Sequence, residues 1–136
     1  MKNPRRNAAR WLRQAEHDLV QADRMLAAGV FSYAAFFAEQ AAQKALKAFL
    51  LAQGKRLITT HSVGQLAREA AARDKRFDSL IDPGKRLDRH YLTARYPDAL
   101  PEPAIPAEAY TPEDAEEAIQ SAGAILEAAR AAIPPQ

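Results

Sequence analysis

Cysteine is absent from this 136-residue chain, which removes disulfides and thiolate metal sites and fits a reducing compartment. No apolar run approaches the roughly 18 residues needed to cross a bilayer. The basic start leads directly into a mixed-charge helix rather than a signal peptide, so a soluble, cytoplasmic protein with no membrane partner is expected. The five glycines are scattered singly, which leaves no phosphate-cradling loop of the nucleotide-triphosphatase or dinucleotide type. No helix carries a Glu-x-x-His pair, so neither a metal site nor a cofactor is expected. Internal repeats, low-complexity tracts and strand-like alternation are missing as well, and no Ser/His/Asp combination stands out.

What is present is helical periodicity over one domain, residues 1–136. The spacing predicts a first helix over 5–28, with Trp11, Ala15, Leu19, Ala22 and Leu26 inward and Gly29 as its stop. A second is expected over 32–53, capped by Ser32 and closed by Gly54. Its broad alanine face invites close helix packing, and a stripe of Gln40, Gln43, Lys44 and Lys47 below Phe36 is either a solvated edge or the polar floor of a cleft. A third helix is expected from about Ser62 to Ala72, with Thr60 as candidate cap. A short turn burying Phe77 and Leu80 follows, then a helix capped by Asp82 that runs to about Leu92. The prolines between Tyr96 and Tyr110 predict an extended connection, and Thr111-Pro112-Glu113-Asp114 restarts a helix that reaches about Ala132. The fold class is therefore all-α, an up-and-down antiparallel four-helix bundle with a short additional helix.

Charge is distributed unevenly. Residues 1–53, 54–95 and 96–136 sum to +4, +5 and −7, so a basic body precedes an acidic last helix. Such a gradient either offers a face that attracts phosphate or is paired internally, helix against helix.

Within the basic part lies Leu87-Asp88-Arg89-His90-Tyr91-Leu92-Thr93-Ala94-Arg95-Tyr96-Pro97-Asp98, where two arginines, a histidine and two tyrosines crowd ahead of a proline. On a continuous helix Arg86, Arg89 and His90 share a face. Arg89 or Arg95 can grip a phosphate through a bidentate fork, His90 can move a proton, and Tyr91 or Tyr96 can stack a base. The chemistry suits a nucleotide or phosphodiester. The candidate catalytic residues are His90, Arg86 and Arg89, and the candidate binding residues are Arg89, His90, Tyr91, Arg95, Tyr96, Lys44 and Lys47.

Four features in order resemble one family: Trp11…Ala15…Asp18-Leu19, the run from Phe36 to Ala48 (FFAEQAAQKALKA), Thr60-His61-Ser62, and Leu87-Asp88-Arg89-His90-Tyr91…Arg95-Tyr96-Pro97-Asp98. Together they resemble the HEPN domain family, the nucleotide-binding domains of higher eukaryotes and prokaryotes. The resemblance implies a helical bundle that forms a homodimer and is paired with a minimal nucleotidyltransferase in a toxin–antitoxin-like system. Active relatives are metal-independent endoribonucleases in which an arginine and a following histidine, with four to six residues between them, lie at the dimer cleft. Lys85 stands where that spacing before His90 calls for arginine, and Arg56 to His61 is the literal match. In relatives a tyrosine just beyond the histidine is a target of the partner enzyme. Tyr91 lies one position nearer than that pattern requires.

Three readings follow. The protein is a nucleotide- or RNA-binding domain acting with a nucleotidyltransferase, or an endoribonuclease with His90 as the proton-transfer group. The third is a non-catalytic interaction module in which Arg95 only orders the proline-rich crossover, by pairing with Asp98 or a buried carboxylate.

Overall fold

The computed structural model describes residues 3–56 and 58–135. Among them all regular structure is helical, as the periodicity requires. Helix α1 spans Pro4–Ala27, and Asn3 caps it by accepting from the Arg5 and Arg6 amides. It ends at Ala28, after which Gly29 takes the positive φ that reverses the chain. Helix α2, Phe31–Ala52, begins after Val30 without a side-chain cap, so Ser32 does not cap it: the helix starts one residue earlier and encloses Ser32 as a buried residue. Gly54 closes α2 at φ 93°, as expected.

Helix α3 is Val63–Ala71. Its N-cap is Ser62 rather than Thr60, because the Ser62 hydroxyl accepts from the Gln65 amide at 3.1 Å while Thr60 Oγ1 accepts from the Ser62 amide. A 3₁₀ turn at Lys75–Leu80 buries Phe77 against Phe49, with ring centroids 4.6 Å apart. Helix α4, Ile81–Asp88, continues directly from that turn, so Asp82 lies inside the helix and does not cap it. The expected run to Leu92 is broken at Arg89, and a separate short helix, α5, covers His90–Thr93. The crossover from Tyr96 to Tyr110 contains a 3₁₀ turn at Pro97–Ala99, a cis Glu102–Pro103 peptide and a four-residue helix, α6, at Pro106–Ala109. Helix α7, Pro112–Ala132, opens with a reciprocal capping box between Thr111 and Asp114.

Helix α2 is the axis of the packing, lying against α1, α7 and α3. Its alanines 34, 35, 38, 41, 42, 45 and 48 are fully buried, and the small side chains let the neighbouring backbones approach closely. Leu46, Phe49 and Leu50 extend this core toward Leu66, Phe77 and Leu87, and α7 contributes Ala122, Ile125 and Ala129.

Helices α3 and α4 meet through glycine. A Cβ on Gly64 would lie 2.9 Å from Lys85 Cγ, and one on Gly84 would lie 3.1 Å from the Val63 carbonyl oxygen. That close approach brings Asp88, the last residue of α4, over the start of α3. Its carboxylate accepts from the Ser62 hydroxyl at 2.8 Å, the Val63 amide at 2.6 Å and the Gly64 amide at 3.2 Å. A second helix thereby satisfies the orphan donors of α3. Part of the charge gradient is resolved internally, through Arg86–Glu117 between α4 and α7 and Glu16–Arg130 between α1 and α7.

Candidate functional site

The break at Arg89 decides where the window's side chains point. Arg86 and Arg89 stay exposed, but His90 turns inward to 5% exposure, so the expected shared face of Arg86, Arg89 and His90 is not formed. Arg86 is drawn instead to Glu117. His90 Nδ1 lies 2.7 Å from the Tyr110 hydroxyl, which lies 2.9 Å from Thr93 Oγ1. Thr93 donates its one hydroxyl proton to the Arg89 carbonyl. The Tyr110 hydroxyl thus bridges the His90 ring and the Thr93 hydroxyl, which ties α5 to the end of the crossover. Burial, helped by the neighbouring Arg89 charge, lowers its pKa to about 4, so the ring is neutral at neutral pH. Burial likewise raises the Tyr110 pKa.

A second cluster forms on the other side of α5. The Arg95 guanidinium carbon sits 4.4 Å from the Phe36 ring centroid, 4.9 Å from that of Tyr91 and 4.9 Å from that of Tyr96. Arg95 Nε donates to the Tyr91 carbonyl at 2.9 Å, which closes one turn of backbone. Among the described residues Arg95 makes no direct ion pair with Asp98 or any other carboxylate, and aromatic faces and one carbonyl order it, while its charge is felt by the buried carboxylate of Glu39. Tyr96 is half exposed.

Sequence reasoning missed two members of this neighbourhood. His61 is exposed and lies parallel to Tyr91, with centroids 6.0 Å apart and an interplanar angle of 9°. Its Nδ1 is 3.3 Å from Gln43 Oε1. Glu39 is fully buried and accepts from Gln40 at 2.8 Å and Gln43 at 3.0 Å. Burial raises its pKa to about 6, against the lowering effect of those two amides. The four-residue spacing of Glu39, Gln43 and Lys47 is a visible ladder, and the literal Arg56 to His61 spacing is a visible pair. Neither says which side chains another element will cover.

The two lysines of the stripe lie inward as well. Lys47 is buried, donates to Gln43 at 3.0 Å and rests 5.6 Å from the Trp11 ring centroid. Burial lowers its pKa. Lys44 is partly covered and bridges to Asp18 at 2.6 Å, and Asp18 also accepts from Gln14. The stripe is therefore not a solvated edge: α1 covers it at Lys44 and Lys47, the two lysines expected to bind a ligand. Among the described residues no group of three or more histidines and carboxylates is placed to hold a metal ion, and no helix is long and apolar enough to cross a membrane.

The geometry defines an all-helical domain with an arginine–aromatic surface flanked by an exposed imidazole that rests on the buried Gln43 amide. The chain belongs to the HEPN domain family, whose pattern it matches over residues 8–132. It is 31% identical over 125 residues to the Methanocaldococcus jannaschii protein named "Putative toxin MJ1304", an alignment that covers 86% of this chain and 82% of that protein. The crystal structure of TT1696 from Thermus thermophilus superposes with a TM-score of 0.83 at 37% identity, over 92% of this chain and 97% of that one. ST0689, described as an archaeal HEPN homologue, superposes at 0.78 with 34% identity over 98% of this chain and all of its own.

Proposed function

We propose that this HEPN protein binds nucleotide or RNA on the surface around Arg95, and that it acts in a toxin–antitoxin-like pair beside a nucleotidyltransferase. The toxin designation of the archaeal relative supports the pairing. The observation that carries the binding reading is Arg95 itself: a guanidinium ordered by three rings and in direct ion pair with no carboxylate among the described residues, the charge of buried Glu39 acting on it only from a distance. Such an arrangement presents a phosphate fork beside stacking faces. The exposed side chains of Tyr96 and Leu92, both within four residues of Arg95, support a homodimer that closes over it.

Titration with short single-stranded RNA tests this reading. Arg95→Ala is expected to weaken binding about tenfold or more, the scale of one charge-assisted contact, with a melting shift of only a few degrees. A lower melting temperature with affinity intact would instead assign Arg95 to ordering the crossover, the role it has in an interaction module.

The endoribonuclease reading is favoured by one observation, and it moves the proton-transfer role from His90 to His61. His61 is exposed beside Tyr91 and Gln43, whereas His90 is buried with Nδ1 committed to Tyr110. If the protein cleaves RNA in the presence of chelator, His61→Ala is expected to abolish cleavage and His90→Ala to spare it in folded protein. The reverse pattern would return the role to His90.

A further inference from the structure

The Gln43 side chain lies among three polar groups, and the chemistry of two of them decides which way its amide points. The Glu39 carboxylate faces it at 3.0 Å and the Lys47 nitrogen at 3.0 Å. A carboxylate accepts and a lysine donates, so the amide nitrogen must face Glu39 and the amide oxygen must face Lys47. The reversed amide would set donor against donor and acceptor against acceptor at once. All three residues are buried, which leaves little water to stand in for either partner.

The same amide oxygen lies 3.3 Å from Nδ1 of His61. An amide oxygen only accepts, so Nδ1 must carry the proton, and in the neutral ring Nε2 is then the bare nitrogen. The ring is exposed, and among the described residues Nε2 has no hydrogen-bond partner. Tyr91 lies parallel to the ring within 9°, with centroids 6.0 Å apart, which restrains its plane. A histidine free in water favours the opposite tautomer, with the proton on Nε2. This site reverses that preference.

We infer that Gln43 is a positioning residue: held by Glu39 and Lys47, it fixes His61 as the Nδ1–H tautomer and leaves Nε2 open as a proton acceptor. The inference rests on the reading of His61 as the proton-transfer group and adds how that group is set. In that reading the O–H bond of the attacking hydroxyl breaks as an Nε2–H bond forms. The hydroxyl oxygen bonds to phosphorus as the bond to the leaving oxygen breaks, and the proton returns from Nε2 to the leaving oxygen through solvent. While the ring is charged, Gln43 Oε1 faces its Nδ1–H and stabilises it.

Nitrogen-15 NMR tests the assignment in the wild type itself, because protonated and bare ring nitrogens resonate far apart. The chain has three histidines, and the exposed His61 is identified by the signals lost in His61→Asn. At about pH 8.5, where a histidine ring is ordinarily neutral, Nδ1–H is expected to be its main tautomer. Gln43→Met keeps the side-chain length without the amide. In it the ratio of Nδ1–H to Nε2–H should fall about fivefold, the scale of one neutral hydrogen bond. In cleavage assays with chelator, the same variant should lose about tenfold in kcat with KM little changed. A wild-type His61 protonated mainly on Nε2 overturns the inference and leaves the cleavage reading to the His61→Ala result. An unchanged tautomer ratio or a wild-type kcat in folded Gln43→Met overturns it as well. Absence of cleavage by the wild type overturns the cleavage reading, and the tautomer of His61 then decides the place of Gln43 alone. The wild-type spectrum decides it in the same way if Gln43→Met does not fold.

Discussion

Asp88→Ala is expected to lower stability by about 3 kcal/mol, because it strands two backbone amides and a hydroxyl at the start of α3. For a domain of this size that is a fall of roughly 10 °C in melting temperature. The loss arises on the side of the donors. The Val63 and Gly64 amides face α4 across a glycine contact too tight for a replacement partner to enter easily. Asp88→Asn, which keeps one acceptor oxygen but not the charge, should fall between the two. Calorimetry of the three proteins checks the order, and an alanine variant melting within a degree or two of the wild type would rule out this role for Asp88.

The second large effect is a pair of opposing pH dependences. His90 falls from 6.5 to about 4 on folding, so its contribution is complete above pH 6.5 and is lost as pH drops toward 4. The full loss is about 3 kcal/mol, at roughly 1.4 kcal/mol per pH unit. Glu39 rises from 4.5 to about 6, so its contribution is complete below pH 4.5 and is lost as pH climbs through 6. That change is about 2 kcal/mol in the opposite direction. Between pH 4.5 and 6 the two groups offset each other, and the wild type should show a shallow acid limb. Glu39→Gln removes the compensating half: the variant is expected to be more stable than wild type at pH 7 and to lose stability more steeply on acidification. Denaturant unfolding at half-unit steps from pH 4 to 7.5 measures both limbs. Parallel profiles for the two proteins would show that Glu39 does not titrate in this window.

Local determinants of the fold are legible in the sequence. Gly29 and Gly54 stop helices through positive φ, and Thr111 and Asp114 form the capping box that their spacing announces. Phe77 and Leu80 are buried as their short turn suggests. What the chain does not disclose depends on partners distant in sequence. A continuous helix would carry His90 on an outward face, and nothing near it signals the break at Arg89 or the hydroxyl of Tyr110, twenty residues on. Asp88 reads as an ordinary charge within a suggestive window, and its three donors lie on another helix. Glu39 and Lys47 are polar residues on a helix with little polar surface, and their burial follows from where α1 and the residues around His61 lie. The arginine–aromatic cluster is the part of the candidate site most visible in sequence, since Tyr91, Arg95 and Tyr96 lie within one and a half turns of one another, with Phe36 supplied by α2.

The grip of Asp88 on α3 has a mechanical consequence. His61 directly precedes Ser62, whose hydroxyl is one of the three groups that Asp88 holds, so α4 fixes the backbone next to the imidazole while Gln43 of α2 and Tyr91 of α5 meet its ring. Helix α4 is in turn braced against α7 through Arg86 and Glu117. The start of α3 and the end of α4 thus form one connected unit, with His61 at its edge and the end of α4 facing α7. Loss of the Asp88 carboxylate should therefore loosen the backbone at Ser62, next to the imidazole, as well as the start of α3.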